Sequence, residues 1–280
     1  MIIDTHTHLY DPERPQGIPW PPKDNTLLYR QVLPPNYRAV AEPEGVTGTI
    51  VVEASVWLED NQWILDVAEN EPFIVGFVGN LDPSDPNFEA HLDRVCANPL
   101  FRGIRLGSGR IKNYSLDDFY HVAKKLADRD LEVDLLIRTP ELATAADLAA
   151  RIPELRIVIN HIAHVPINGQ TPDADWVAGI RAVAQHPNVY MKGSAFAEMA
   201  QDTPAPSEVS YYEPTLDILW DAFGEDRIIY GSNWPVCERA APYATVQHIV
   251  SEYFKSKGEE AVEKYFWKNA KAAYKWIDRS

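Results

Sequence analysis

The sequence predicts an α/β protein, a single (β/α)8 TIM barrel spanning residues 1–280 with a Pro- and Trp-rich loop after strand one. Three observations predict it. The chain has 280 residues, which is near the size of one such barrel. Short apolar, β-branched segments alternate with amphipathic stretches, which is typical of a parallel sheet covered by helices on both sides. Eight apolar segments of strand length follow one another along the chain, and eight is the number of strands that closes a barrel.

Each predicted strand is a short run rich in Val, Ile, Leu or Phe, such as Ile-Val-Val in the second and Ile-Val-Ile in the sixth. Runs of this length and composition are typical of buried strands. The strands are expected at residues 2–5, 47–53, 73–79, 101–106, 131–137, 156–160, 189–192 and 227–230. Apolar residues at helical spacing follow each strand after the first. The helices are expected at residues 60–70, 87–97, 116–128, 140–151, 173–185, 211–223, 244–255 and 259–277.

The first strand is followed by residues 11–35, which contain seven prolines and one tryptophan. Proline fixes φ and lacks an N–H group, so this density of prolines predicts an irregular loop. A loop of this length inside a domain is usually functional. Because it directly follows the first strand end, we expect it to fold over a site there.

Charge and cysteine content limit the classes of partner. The formal net charge is −15 and the sequence pI is about 4.9, which argues against nucleic acid or an anionic membrane surface and favours a small-molecule ligand. Cys96 and Cys237 are far apart, which predicts free thiols in a reducing, cytoplasmic compartment. No apolar run approaches the roughly 20 residues that span a bilayer. A homo-oligomer is compatible with the sequence, which does not fix the oligomeric state.

Polar side chains gather where the predicted strands end. His6 and His8 are two apart at the end of the first strand, and alternate strand residues share a face, so both rings should project together. In a barrel of this type the carboxyl ends of the strands carry the chemistry. The residues at the other strand ends are Glu53, Asn80, Asp82, Arg105, Arg138, His161, His164, Lys192, Ser194, Ser232 and Asn233. The sequence therefore predicts one site built from histidines and ionisable groups.

The chain resembles a known family in a series of motifs that occur in order at the strand ends. The motifs are His6-Thr7-His8, Arg102-Gly103-Ile104-Arg105-Leu106, Ile157-Val158-Ile159-Asn160-His161, Tyr190-Met191-Lys192-Gly193-Ser194 and Arg227-Ile228-Ile229-Tyr230-Gly231-Ser232-Asn233-Trp234-Pro235. They are similar to the amidohydrolase superfamily, and within it to the amidohydrolase-2 branch that includes lactonases for sugar acids and for pyrone dicarboxylate. The resemblance implies a barrel hydrolase, often with one divalent metal, in which histidines and a strand-eight acid activate water.

Two departures from the family pattern affect the metal and the base. The strand-eight motif of the family usually reads Gly-Ser-Asp-Trp-Pro, and this chain has Asn233 at the acid position. An amide cannot act as a general base. Strand five ends in Arg138 where some superfamily members place a histidine ligand. His6, His8 and His161 could still hold one divalent metal, with zinc the first choice because imidazole suits it; the alternative of no metal stays open.

The remaining candidates divide between catalysis and substrate binding. Arg105 and Arg138 could clamp a carboxylate or carbonyl oxygen with a planar guanidinium, or pair with acidic neighbours. Lys192 could hydrogen-bond a carbonyl oxygen, or be an ordinary solvated charge.

Other candidates lie in the loops around the predicted site. His161 and His164 are three apart, and His164 is a candidate proton shuttle or, without metal, the base. Glu53 could orient a histidine. Trp20 and Trp234 could each offer an aromatic face to a sugar ring or planar lactone, although packing is the commoner role of tryptophan.

These residues predict hydrolysis of a lactone by attack of water on the carbonyl carbon. Two alternatives stay open: a metal-dependent non-oxidative decarboxylase of the same branch, and a ligand-binding barrel whose catalysis was weakened at Asn233. A further hypothesis keeps the lactonase but moves the acid role to Glu53 or Asp82.

Overall fold

The computed structural model describes residues 1–111 and 116–279, and in them eight parallel strands form one sheet in sequential order, β1 to β8. The strands are β1 Ile3–Thr7, β2 Gly48–Val52, β3 Ile74–Gly79, β4 Phe101–Gly107, β5 Glu132–Leu136, β6 Arg156–Ile159, β7 Val189–Gly193 and β8 Ile228–Tyr230. An isolated parallel bridge between Thr7 and Trp234 joins the two edges, and the His8 backbone N–H donates to the Trp234 carbonyl at 2.9 Å. The predicted (β/α)8 barrel is confirmed.

Helices follow the strands around the outside of the barrel. They are α1 Pro34–Ala41, α2 Asp60–Glu69, α3 Phe88–Cys96, α4 Ser108–Ile111, α5 Leu116–Ala127, α6 Leu142–Arg151, α7 Ala174–Ala184, α8 Phe196–Met199, α9 Val209–Phe223, α10 Tyr243–Lys257, α11 Glu259–Glu263 and α12 Asn269–Tyr274. Within the described ranges, no helix combines the length and the apolar character needed to cross a membrane.

The one-turn helices α4 and α8 are absent from the prediction, and two longer helical regions differ from it. The predicted loop ends at residue 35, but residues 34–41 form helix α1. Pro34 and Pro35 occupy the first turn of this helix, where a missing N–H group costs no hydrogen bond. The closing helix predicted at 259–277 is divided into α11, a π-helical segment Lys264–Lys268 and α12. Lys275 then adopts a left-handed conformation with φ of 50° and ends α12.

The apolar core lies between the barrel wall and the helices. Strands such as β2 and β3 are buried along their whole length, as expected for parallel strands covered on both sides. Leu148, Ile180 and Leu219 are fully buried on the covering helices α6, α7 and α9. This packing makes the wall rigid and leaves the strand ends to position functional side chains.

The inside of the barrel contains charged groups. Lys192 on β7 is fully buried, and its ammonium donates to the Asp134 carboxylate of β5 at 2.8 Å and to the Thr5 carbonyl of β1 at 3.1 Å. Tyr274 on α12 donates to the other Asp134 oxygen at 2.8 Å. Glu132, also on β5, is buried beside them, and burial followed by the Asp134 charge raises its pKa well above the usual range. These contacts tie β1, β5, β7 and the last helix together.

Asp4 on β1 anchors the first strand to its surroundings. One carboxylate oxygen accepts from the backbone N–H groups of His6 at 3.1 Å and Ser232 at 2.8 Å. The other accepts from the hydroxyls of Tyr37 at 2.8 Å and Tyr243 at 3.0 Å. This buried carboxylate therefore fixes the backbone on which His6 and His8 stand.

We expect Asp4→Asn to destabilise the fold by about 2 kcal/mol, because an amide keeps one acceptor oxygen and turns an NH2 group toward the other donors. Urea unfolding measures this change. Asp66→Asn, at an exposed position on α2, is the control and should lie within about 0.5 kcal/mol of the wild type. Equal stability of the two variants would contradict the anchoring role of Asp4.

Candidate active site

A pocket of about 900 Å³ opens at the carboxyl ends of the strands. Its polar lining includes His8, Glu53, Arg105, His161, His164 and Asn233. The loop after β1 contributes Pro19 and Trp20 to the wall, and the Trp20 ring lies 5.8 Å from the His8 ring, centroid to centroid. The loop predicted to fold over the site thus forms one side of the pocket.

Three imidazole rings cluster at the base of this pocket. The His6 ring centroid lies 5.0 Å from that of His8 and 4.3 Å from that of His161. A glycine permits this packing: a Cβ at Gly231 would lie only 2.9 Å from the His6 Cβ. His8 and His161 line the pocket, whereas His6 is fully buried beneath them.

His161 and His164 are held by a left-handed turn. Residues 161–164 all have positive φ, between 49° and 54°, a conformation that costs roughly 1–2 kcal/mol per non-glycine residue. The Trp176 indole N–H donates to the Ile162 carbonyl at 2.9 Å, and Ile162 is fully buried. The two histidine rings consequently lie 5.4 Å apart, centroid to centroid, at the pocket. Strained backbone that tertiary packing maintains is typical of functional sites.

Burial keeps the histidines uncharged. It lowers the pKa of His8 to about 3 and, aided by Lys192, holds the pKa of His6 well below its usual range. Burial and the neighbouring His164 hold the pKa of His161 well below its usual range, and burial also lowers the pKa of His164. His8 Nδ1 donates to the Val52 carbonyl at 2.9 Å and His164 Nδ1 to the Ile137 carbonyl at 3.1 Å. Both therefore carry their lone pair on Nε2.

The donor set does not fit the predicted three-histidine metal centre. The Lys192 side-chain nitrogen lies 3.1 Å from His6 Nδ1; because an ammonium only donates, we assign the His6 proton to Nε2. That buried Nε2 has no hydrogen-bond partner, and it is the nitrogen a metal would need unprotonated. Over residues 1–111 and 116–279, no group of three or more His, Cys, Asp or Glu side chains is arranged to hold a metal ion.

The two candidate arginines have different surroundings. Arg105 lines the pocket, and its Nε donates to a Glu53 carboxylate oxygen at 2.7 Å and its Nη2 to the Glu53 carbonyl at 2.8 Å. This nearly buried ion pair fixes the plane of the guanidinium. Arg138 is exposed and does not line the pocket, so the structure does not bring it to the predicted clamp.

Two other candidates also lie away from the pocket. All three ammonium contacts of Lys192 are with protein groups, and the side chain is fully buried below the histidines, so it does not reach a substrate carbonyl. Trp234 packs in the core at 5.3 Å from the Tyr37 ring, centroid to centroid, and its indole N–H donates to Glu238 at 2.8 Å. Among the predicted tryptophans, Trp20 is the one that lines the pocket.

One pocket carboxyl was not predicted from the sequence. Glu198 on the one-turn helix α8 lines the pocket, and one of its carboxylate oxygens, Oε1, accepts from the Asn233 side-chain amide at 2.9 Å. Burial raises the pKa of Glu198 to about 7, although the hydrogen bond from Asn233 opposes this. A carboxyl group thus stands directly beside the amide that occupies the acid position of strand eight.

Comparisons with known proteins agree with this architecture. The family model described as Amidohydrolase matches residues 3–276. A curated relative, the L-fucono-1,5-lactonase of Burkholderia ambifaria, is 32% identical over 247 residues, which cover 86% of this chain and 82% of that protein.

Solved structures share the fold at lower sequence identity. An amidohydrolase from Burkholderia multivorans with bound zinc superposes with a TM-score of 0.83 at 24% identity, covering 99% of this chain and all of that one. A probable 2-pyrone-4,6-dicarboxylic acid hydrolase from Acinetobacter baumannii gives a TM-score of 0.76 at 17% identity, covering 98% and 99% of the two chains. Similarity at this level shows a common fold.

Proposed function

The chain belongs to the amidohydrolase family, and from that premise we propose that it is a lactonase that opens a small sugar-acid lactone by attack of water on the carbonyl carbon. The observation that carries the proposal is the convergence of Arg105, His161 and His164 on one pocket at the barrel mouth. The similarity to L-fucono-1,5-lactonase over 86% of the chain supports the lactone as the substrate class.

The pocket has the size and lining for such a ligand. Its volume of about 900 Å³ is within the range of small-molecule sites. Trp20 and several alanines offer apolar surface to the face of a sugar ring, while polar groups around them can bind its hydroxyls. A small neutral lactone fits this mixture better than a polymer.

Arg105 is the group that we assign to the substrate carbonyl. Its ion pair with Glu53 uses Nε and Nη2. Nη1 has no protein partner within the described ranges and is available to donate to the carbonyl oxygen. Negative charge grows on this oxygen as water adds, so a fixed cationic donor stabilises the transition state more than the ground state. His161 adds a neutral ring beside it, and His164, half-buried at the pocket wall, is proposed as the shuttle that passes the released proton to solvent.

The proposal is tested with purified protein and a panel of lactones, recording acid release with a pH indicator. We expect hydrolysis of L-fucono-1,5-lactone well above its spontaneous rate. The five-membered lactone of the same acid and 2-pyrone-4,6-dicarboxylate are comparison substrates that define ring size and charge preference. A panel on which no lactone opens faster than in buffer would contradict the function.

Metal dependence is a separate prediction. The zinc held by a structural neighbour supports testing for it, whereas the proton that we assign to His6 Nε2 opposes a zinc ion on His6, His8 and His161. We expect lactone hydrolysis to survive complete chelation, checked by elemental analysis of the same sample. If activity is lost on chelation and returns with one equivalent of zinc, the tautomer that we assign to His6 is wrong.

The cysteines and the net charge bear on the compartment and the partners of the protein. We propose a cytoplasmic enzyme, because both cysteines are free thiols and reducing compartments maintain them. We further propose that its partner is the small-molecule substrate and that nucleic acids and membranes are not partners, on the ground of the acidic net charge of −15.

A further inference from the structure

Glu198 and Asn233 form a pair at the wall of the pocket. Ala195 adopts a left-handed conformation with φ of 61° and starts the single turn Phe196–Met199, which carries Glu198 to the pocket. Asn233, also left-handed with φ of 61°, donates to Glu198 Oε1 at 2.9 Å. The second oxygen, Oε2, is shielded from bulk solvent and has no hydrogen-bond partner. A buried carboxylate oxygen without a partner at the wall of a pocket is a candidate to bind a ligand or a proton.

The other carboxyl groups near the pocket are engaged or exposed. Glu53 forms the ion pair with Arg105. Asp82, which the sequence made a candidate, is exposed and accepts from the backbone N–H and the hydroxyl of Ser84 at 3.0 and 2.8 Å. Asp202 lines the rim but is exposed to solvent. Glu198 is therefore the pocket carboxyl, among the residues described, that combines shielding with an unengaged oxygen.

The surroundings of Glu198 suit proton transfer. Among the described residues, Tyr212 of α9, the Cys237 thiol and the Arg239 guanidinium interact with it electrostatically. Burial outweighs the hydrogen bond from Asn233 and the Arg239 charge and raises the pKa of Glu198 to about 7. A carboxyl in this range can both accept a proton and return it near neutral pH.

We propose that Glu198, held by Asn233, is the general base and acid of this pocket and does the work of the carboxylate absent from strand eight. The proposal rests on the lactonase function. The Glu198 carboxylate takes a proton from water as the water oxygen bonds to the carbonyl carbon. As the tetrahedral intermediate collapses, the bond from that carbon to the ring oxygen breaks and Glu198 returns the proton to the ring oxygen. The product acid then loses one proton to solvent.

Two variants test the proposal on the lactone that the wild type opens fastest. Glu198→Gln keeps the shape and the contact with Asn233 but cannot accept a proton, so kcat should fall about 10²-fold or more with a small change in KM. The double variant Glu198→Gln with Asn233→Asp places a carboxylate after strand eight. We expect its kcat to be at least about tenfold higher than that of Glu198→Gln alone. Glu208→Gln, an exposed glutamate before α9, is the matched control and should keep wild-type kcat.

The pH profile separates a base from a structural residue. Wild-type kcat should rise as pH passes through about 7, where Glu198 loses its proton. This rising limb of the pH profile should be absent from Glu198→Gln. The double variant should show a rising limb at a different pH. His164→Asn should retain the limb near 7 if His164 is only a shuttle.

Each result has one interpretation. The proposal is overturned if Glu198→Gln stays within about threefold of wild-type kcat, if the limb persists in that variant, or if it disappears only in His164→Asn. Failure of the double variant to recover activity while both variants unfold at the wild-type temperature would also overturn it. A wild type that opens no lactone overturns the proposed function and this proposal together, whereas wild-type activity that survives in Glu198→Gln overturns this proposal alone.

Discussion

Replacing Lys192 by Met is expected to destabilise the protein by about 3–5 kcal/mol, because it leaves a carboxylate buried without its cation. Lys192 and Asp134 are each 0% exposed at the side chain and lie 2.8 Å apart. Glu132 is buried on β5 beside Asp134, so the variant would bury two acidic groups without the ammonium of Lys192. Urea unfolding monitored by tryptophan fluorescence gives the change in unfolding free energy.

Two further variants make the Lys192 result specific. Lys192→Met combined with Asp134→Asn removes both charges and should recover part of the loss. Lys255→Met removes a lysine of similar size whose pair with Glu252 is exposed, at 63% and 42% of the two side chains, and should change stability by less than about 1 kcal/mol. A Lys192→Met protein as stable as Lys255→Met would contradict the interior role of the ion pair.

Replacing Arg105 by Met is expected to lower kcat/KM on a lactone by about 10²- to 10³-fold, the usual cost of removing one donor that binds a developing oxyanion. Initial rates of acid release at several lactone concentrations measure it. Because the substitution also leaves Glu53 without its cation, thermal unfolding must show that the assayed variant is folded. Arg105→Lys should recover little, since a lysine cannot keep the fork that contacts Glu53.

Arg138→Met is the matched control for this experiment. Both arginines end a strand in the sequence, but Arg138 is exposed and outside the pocket lining. We expect its kcat/KM to stay within about twofold of the wild type, because its side chain is exposed and contributes nothing to the pocket lining. Equal losses in the two variants would mean that the structure does not distinguish the binding arginine from the exposed one.

The barrel was predictable because its strands are short apolar runs and its helices have a 3.6-residue period, two patterns that depend on local sequence. The predicted strand at 131–137, for example, agrees with β5 within a residue at each end. Helix α1 is absent from the sequence prediction, because the density of prolines before and at its start favours an irregular loop. Pro at the first helical turn is a signal that could have found it.

The sequence was sufficient to predict that the site lies at the carboxyl ends of the strands, but not which side chains face it. That rule locates the correct end of the barrel, but it does not say whether a side chain faces the pocket, the interior or the core. Lys192 lies one residue before the end of β7 and points into the barrel, where it meets Asp134. Trp234 follows the pocket residue Asn233 directly and packs in the core. Trp20, Glu53 and Arg105 do reach the pocket.

Glu198 could not be found by the strand-end rule, because it lies on a one-turn helix beyond β7. Its position depends on the left-handed backbone at Ala195, which the sequence does not reveal. The signal that was present is indirect: Asn233 replaces an expected acid, and a glutamate lies in the irregular segment that follows the preceding strand. Searching such neighbouring loops for a compensating carboxyl is a rule that this pocket suggests.

The most direct test of the lactonase function is the rate of acid release when the purified wild-type protein is mixed with L-fucono-1,5-lactone, compared with the Arg105→Met variant and with buffer. We expect one proton released for each ring opened, at a rate far above that in buffer, and a large loss of this rate in the variant. A wild-type rate equal to that in buffer, with carbon dioxide released from an aromatic carboxylic acid instead, would contradict the lactonase function and favour the decarboxylase.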